Sequence, residues 1–495
     1  MLECENSQIS AEIYRTLGAH RQDVATRTPL PGEVPLSRAS NNNPPAGPAA
    51  PDLDYAPPPF QHAGGERVVF VDFTEADCDI RIRRLDEPGA VDVRVSSRLE
   101  FVSVQDGRPA FCLRQPISAL TLDGERAPAV SVRAPDGASE FMMVDRAVAP
   151  GAHTLVIESA IERLPGSTFD PIRWVGRPAG VQCLFEMSDR GTHKGFLDSY
   201  LPSNFEYDHI AMTLRVALDG VDSPHRVISN GDVEALGGNN WRISYPPHFT
   251  SSSILFHLTP EPLYETLDAV YGSRIGPAIP VMVYAPREQV AFGVIDMENY
   301  RDAAFSALRS LENDFGPFPH PRLIIYAKGP GTGGMEYAGA TVSRIGSIRH
   351  ELDHSYFARC VTPANGDAGW MDEAIASWGD NDYESRRGRP ERGAHMARRS
   401  PYERTTSADA YTIGRDLIAH LDHLCASRGG MRAFLRHYFA TKRRSTVDAV
   451  EFQDMVEDFH GQSLEALFDE FVYNTGATGG AGDGGGSSQG AHHRI

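Results

Sequence analysis

Apolar residues alternate with others from about residue 66 onward, as in Val68 and Phe70, Ile80 and Ile82, Val91, Val93 and Val95, and Met212, Leu214, Val216 and Leu218. A period of two, bounded by Gly, Pro and Asp, marks half-buried antiparallel strands. The pattern runs to a strand over 253–258 and predicts an antiparallel β domain over 66–262. Strands are expected again at 281–284 and 323–326, with a helix at 298–314. From 347 the spacing is helical, through Leu417, Leu421, Met431, Leu435 and Leu464. This predicts an α+β chain whose second domain, 263–475, is mainly helical. Residues 8–23 suit a short helix, with Ile9, Ile13 and Leu17 at near-helical spacing, and ten prolines between Pro29 and Pro59 read as an extended linker. Residues 1–65 are thus an N-terminal segment and linker, and the Gly/Ser-rich 476–495 reads as a disordered tail.

Charge narrows the classes of partner. A net charge of -19 disfavours nucleic acid, which needs a cationic surface, and anionic membranes. No apolar run approaches the roughly 20 residues of a spanning helix. Met1 to Arg15 is polar and acidic, unlike a secretory signal. The six cysteines are scattered without a C-x-x-C pair, which indicates neither a disulfide framework nor a cysteine metal site. A cytoplasmic location is the expectation.

The chemistry concentrates in His350-Glu351-Leu352-Asp353-His354, an H-E-x-x-H motif. At 100° per residue His354 lies about 40° around a helix from His350, so both imidazoles can share one ion. Ile348, Leu352 and Tyr356 fall on the opposite face, suited to core packing. A catalytic zinc uses three protein ligands and leaves a fourth position for water. Glu373, in the helix-compatible stretch from Trp370 to Trp378 beyond a turn-rich 363–369, is the candidate third ligand. No further histidine follows closely, which disfavours a three-histidine site. Glu351, beside the ion but not bound to it, is the candidate general base.

These residues resemble the aminopeptidase N family, gluzincin zinc aminopeptidases that include leukotriene-hydrolysing members. The family pattern is H-E-x-x-H, eighteen residues, then Glu, and Glu373 follows His354 at that spacing. The segment from His354 to Thr362 is similar to the family's H-Q-W-F-G-N-L-V-T, and Trp370 to Glu373 to its W-L-N-E. Gly333-Gly334-Met335-Glu336-Tyr337 resembles the G-A-M-E-N or G-G-M-E-N exopeptidase motif, with Tyr337 in place of Asn. The resemblance implies that Glu336, with Gly334 and Met335 around it, binds the substrate's free α-amine. Gln182 to Glu186, followed by Tyr200-Leu201-Pro202-Ser203, faintly resembles the family segment that gives a second amine-binding acid, which makes Glu186 the candidate, with a surface carboxylate as the equal rival reading. Ala410-Tyr411-Thr412-Ile413-Gly414 is similar to the family's Y-E-K-G, which implies that Tyr411 donates to the oxyanion; Ile413 replaces the Lys, and a core tyrosine is the rival reading.

The resemblance implies a thermolysin-like catalytic domain after the β domain, one zinc ion per chain, and peptide substrates with a free N-terminus. It also implies a short form without the family's large C-terminal helical domain, and so a more open active site that could admit larger peptides or be covered by a partner or an oligomer. Acetylating the substrate amine is expected to leave Glu336 buried and unpaired, making such peptides nearly inert. A thermolysin-type endopeptidase, an inactive peptide-binding module and a small-molecule hydrolase are the alternatives.

Overall fold

The computed structural model describes residues 56–474, except 63, 88, 166, 168, 178, 188–194, 206–207, 398–399 and 403–405. All of them belong to one compact unit, Pro48–Ile495. The expected helix at 8–23, most of the proline-rich linker and the tail at 476–495 lie outside the described residues.

Strands dominate up to Tyr271 and helices from Met297 onward, so the chain is a mixed α/β molecule. The largest sheet has eight strands. At its centre Asp72–Arg84 pairs antiparallel with Val91–Ser103, which pairs antiparallel with Gly151–Ala160. The alternation read from the sequence is real: Ala76, Cys78, Ile80 and Ile82 are buried on one face of Asp72–Arg84 while Glu75, Arg81 and Arg83 face out.

Strand direction departs from the all-antiparallel expectation. Ala211–Asp219 pairs parallel with Asp72–Arg84, and Arg67–Phe70 pairs parallel with Arg108–Phe111. Alternation reports which face is buried and carries no information on direction. Pairing also begins before residue 66, because Phe60–Gln61 joins Arg67–Phe70 and the Phe60 ring packs on Phe70 and Tyr402. The strand expected at 253–258 is Phe256–Pro260. Thr250 and Ser253 instead close a turn through their own hydrogen bonds, Thr250 N–H to Ser253 Oγ at 3.0 Å and Ser253 N–H to Thr250 O at 3.0 Å.

A second, five-stranded sheet follows the order Tyr264–Tyr271, Ile279–Pro286, Leu323–Ala327, Ala340–Ser343, Gly334–Tyr337. Its three inner strands run parallel and its two edge strands antiparallel. Because successive side chains point to opposite faces, it serves two cores. Val281, Val283, Leu323 and Ile325 pack with the helices. Tyr284, Ile324, Tyr337, Ala340 and Val342 pack with the strand-rich half. Behind the first face lies Met297–Phe315, started by the Asp296 carboxylate accepting from the amides of Glu298 and Asn299. The edge strand Gly334–Tyr337 is the lip of the cleft described next.

Candidate active site

Ile348–Phe357, a helix of ten residues, carries both histidines. Ile348, Leu352 and Tyr356 anchor it in the core, with Tyr356 packed on Phe315, Phe318 and Phe439. The following helix, Met371–Gly379, is buried along its whole length. Trp370 packs edge-on against Phe452 and Phe468, and the Trp378 indole donates to Glu384 O at 2.9 Å. These contacts fix the two ends of the helix that carries Glu373. A third helix, Ile413–Leu424, approaches Ala374 at Gly414, where a Cβ would stand 2.8 Å from the Ala374 Cβ. The close approach brings the preceding turn, Ala408–Tyr411, against the site, and the half-buried Tyr411 hydroxyl donates to Glu373 Oε1.

The three expected ligands converge. His350 Nε2 lies 3.1 Å from Glu373 Oε2 and 3.2 Å from His354 Nε2, and His354 Nε2 lies 3.5 Å from Glu373 Oε2. A tetrahedral ion with bonds of about 2.0–2.1 Å separates its ligand atoms by about 3.3–3.4 Å. The triangle therefore fits one small cation bound by two nitrogens and an oxygen.

The electrostatics point the same way. Burial alone would depress both imidazoles, yet the surrounding carboxylates outweigh it. Glu336 and Glu373 raise His354 to about 9, and Asp380 and Glu373 hold His350 well above its usual value. Glu373, despite full burial, is held well below the usual carboxylate range by the two histidines. This cluster of carboxylates draws positive charge onto the rings, and a metal dication would supply it.

Glu351 is 4% exposed, and burial followed by the nearby Glu336 carboxylate pushes it up to about 8. Gly334 makes room for it: a Cβ at that position would lie 2.7 Å from the Glu351 carboxyl carbon and 2.8 Å from Val342 O. Glu186, Gly334, Met335, Glu336, His350, Glu351, His354, Glu373 and Tyr411 all line one cleft of about 800 Å³. A Glu336 oxygen lies within 4.8 Å of a His354 ring nitrogen. Tyr337 is fully buried, its hydroxyl accepting from the Met187 amide at 3.5 Å.

Three residues of the site were not anticipated. Asp380 Oδ2 lies 2.8 Å from His350 Nδ1, the ring nitrogen that faces away from the triangle. Its signal was available, since seven residues from Glu373 is about two helical turns. Arg359 donates from Nη2 to Glu336 Oε1 at 2.8 Å and from Nη1 to Ser252 Oγ. Lys328 Nζ donates to Glu186 Oε1 at 3.2 Å. Glu336 is thus already ion-paired, which corrects the expectation that a blocked substrate would leave it alone.

A paired-histidine helix, a glutamate from a second helix and a buried acid thus meet in one cleft, a set suited to one bound metal ion beside a free carboxylate. No protein-family model matches the chain. Over 155 residues it is 24% identical to leucine aminopeptidase 2 of Saccharomyces cerevisiae, a match covering 25% of this chain and 23% of that protein. Among solved structures it is similar to an M1 zinc metallopeptidase from Deinococcus radiodurans, at TM-score 0.57 and 18% identity over 79% of this chain and 90% of that one. A mutant of that enzyme was solved with a Tyr-Ser-Ala substrate. The chain is likewise similar to leukotriene A4 hydrolase from Saccharomyces cerevisiae, at TM-score 0.57 and 17% identity over 80% of this chain and 66% of that one. The chain therefore has the fold of the M1 zinc metallopeptidases. Among the described residues, no helix is long and apolar enough to cross a membrane.

Proposed function

We propose that the chain is a zinc-dependent aminopeptidase that releases residues from the N-termini of peptides. The observation that carries this is the ligand triangle of 3.1, 3.2 and 3.5 Å edges, closed beside a buried free carboxylate. His350, His354 and Glu373 would hold one zinc ion per chain. When bound, zinc polarises a water and the scissile carbonyl and lowers the water's pKa toward neutrality. Glu351 takes the proton of the attacking water and passes it to the leaving amine. Tyr411 donates its hydroxyl to the oxyanion that develops on the carbonyl. Asp380 fixes the ring of His350 through Nδ1.

Glu336, with Glu186 beyond it, receives the substrate's α-ammonium. One residue spans at most about 3.3–3.6 Å of chain, and Glu336 lies within 4.8 Å of His354. An amine bound at Glu336, in the cleft that the ligand triangle lines, would bring the first peptide bond nearest the metal. In this reading 66–262 is a β domain and 263–475 a thermolysin-like catalytic domain, the second supplying all the catalytic groups.

The test is mass spectrometry of a free-amine peptide incubated with the zinc-loaded protein. A ladder losing one N-terminal residue at a time is expected. Internal fragments without such a ladder would exclude the aminopeptidase reading and leave an endopeptidase.

A further inference from the structure

An amine-binding carboxylate draws its selectivity from uncompensated negative charge, and at Glu336 a fixed cation offsets part of it. The Arg359 side chain is fully buried, that of Glu336 is 11% exposed, and the two are 2.8 Å apart. Arg359 follows the histidine helix and is tied to Ser252 as well as to Glu336, so it cannot swing away when a ligand arrives. Glu336 stands between this guanidinium and the cleft it lines. The other carboxylate, Glu186, pairs with Lys328 at 3.2 Å, with both side chains 38% exposed, where solvent screens the pair.

Two consequences follow for a substrate. An arriving ammonium must share the Glu336 carboxylate with a fixed cation, and the two like charges oppose each other in a poorly screened site. A substrate whose amine is blocked leaves Glu336 still paired, so it escapes most of the penalty of an isolated buried charge.

We propose that Arg359 sets the amine selectivity of this site: it positions Glu336 and offsets part of its charge, so that the enzyme prefers free N-termini only modestly and also cleaves N-acylated peptides. The proposal rests on the aminopeptidase reading. It makes Arg359 a specificity-determining positioning residue.

The experiment compares kcat/KM for one peptide in free-amine and N-acetylated forms, using the full-length, zinc-loaded protein. In the wild type the free form should be favoured by about tenfold, against about a thousandfold for a carboxylate left unpaired. Arg359→Gln keeps donors for Glu336 and Ser252 but removes the charge. It should widen the ratio by about tenfold, mainly through a lower KM for the free amine. Arg359→Lys, which keeps the charge, should preserve the wild-type ratio.

An acetylated peptide that the wild type cleaves more than about a thousandfold more slowly would overturn the proposal without any variant. So would an unchanged or narrowed ratio in a folded Arg359→Gln. N-terminal ladders with the wrong ratio defeat this proposal alone. Purely internal cleavage of both forms defeats the aminopeptidase reading and the proposal with it.

Discussion

His350, His354 and Glu373 are carried by two helices whose other faces are sunk in one aromatic core, around Tyr356, Trp370 and Trp378. Glu186 and Glu336, facing the same cleft, sit instead after a strand end and on an edge strand. The metal-facing groups are held by the packing of their helices, with Asp380 and Tyr411 steadying His350 and Glu373. The amine-facing groups are held by ion pairs with Arg359 and Lys328. Rigid placement suits atoms that must fit a metal within tenths of an ångström. Ion-paired placement suits a subsite whose charge, more than its shape, decides what binds. The position of chemistry and the choice of substrate are thus controlled by different forces in one cavity.

The contrast breaks if the metal half depends on its non-ligand acid. Glu351→Gln keeps size and all three ligands, so zinc should stay bound while turnover falls about 10²–10⁴-fold. Elemental analysis alongside steady-state kinetics checks both, and loss of zinc would show that Glu351 belongs to the ligand set. Next in size is Tyr411→Phe. An oxyanion donor acts on the transition state, so kcat should drop about 10²-fold with KM little changed. Because the hydroxyl also meets Glu373, zinc content must be followed; normal kinetics with reduced melting temperature would make Tyr411 a packing residue. The smallest effect is expected from Asp380→Asn, which leaves the triangle intact but weakens the partner of His350 Nδ1. Zinc affinity should fall about 10–100-fold, read by competition with a chelator, with turnover per bound zinc nearly unchanged.

Much of the metal half could be read along the chain because its geometry is local. The four-residue step from His350 to His354 and the Ile348, Leu352, Tyr356 face are consequences of 100° per residue. Asp380 was missed although the same arithmetic places it two turns from Glu373. The amine half resisted for another reason. Arg359 meets a serine 107 residues away, and Lys328 meets a glutamate 142 residues away. No periodicity encodes such meetings, which arise only when the strand-rich half closes over the second sheet. The parallel pairing of Ala211–Asp219 with Asp72–Arg84 was hidden likewise, since alternation is the same for either strand direction. Glu186, Glu336 and the cleft's glycine were nameable from motif resemblance, but the cations that modulate the two acids were not.

That second sheet is in effect a party wall. Val283 and Ile325 belong to the helical side, while Tyr284, Ile324 and Tyr337 belong to the strand-rich side. A fragment ending near residue 262 would lose the tyrosines that close its own interior. A fragment beginning there would expose the same rings as a sticky face in water. Arg359 and Ser252 stand on either side of that cut, so severing it would also dissolve the charge balance of the amine subsite. The two halves therefore share one wall, and separating them would bare it on both sides.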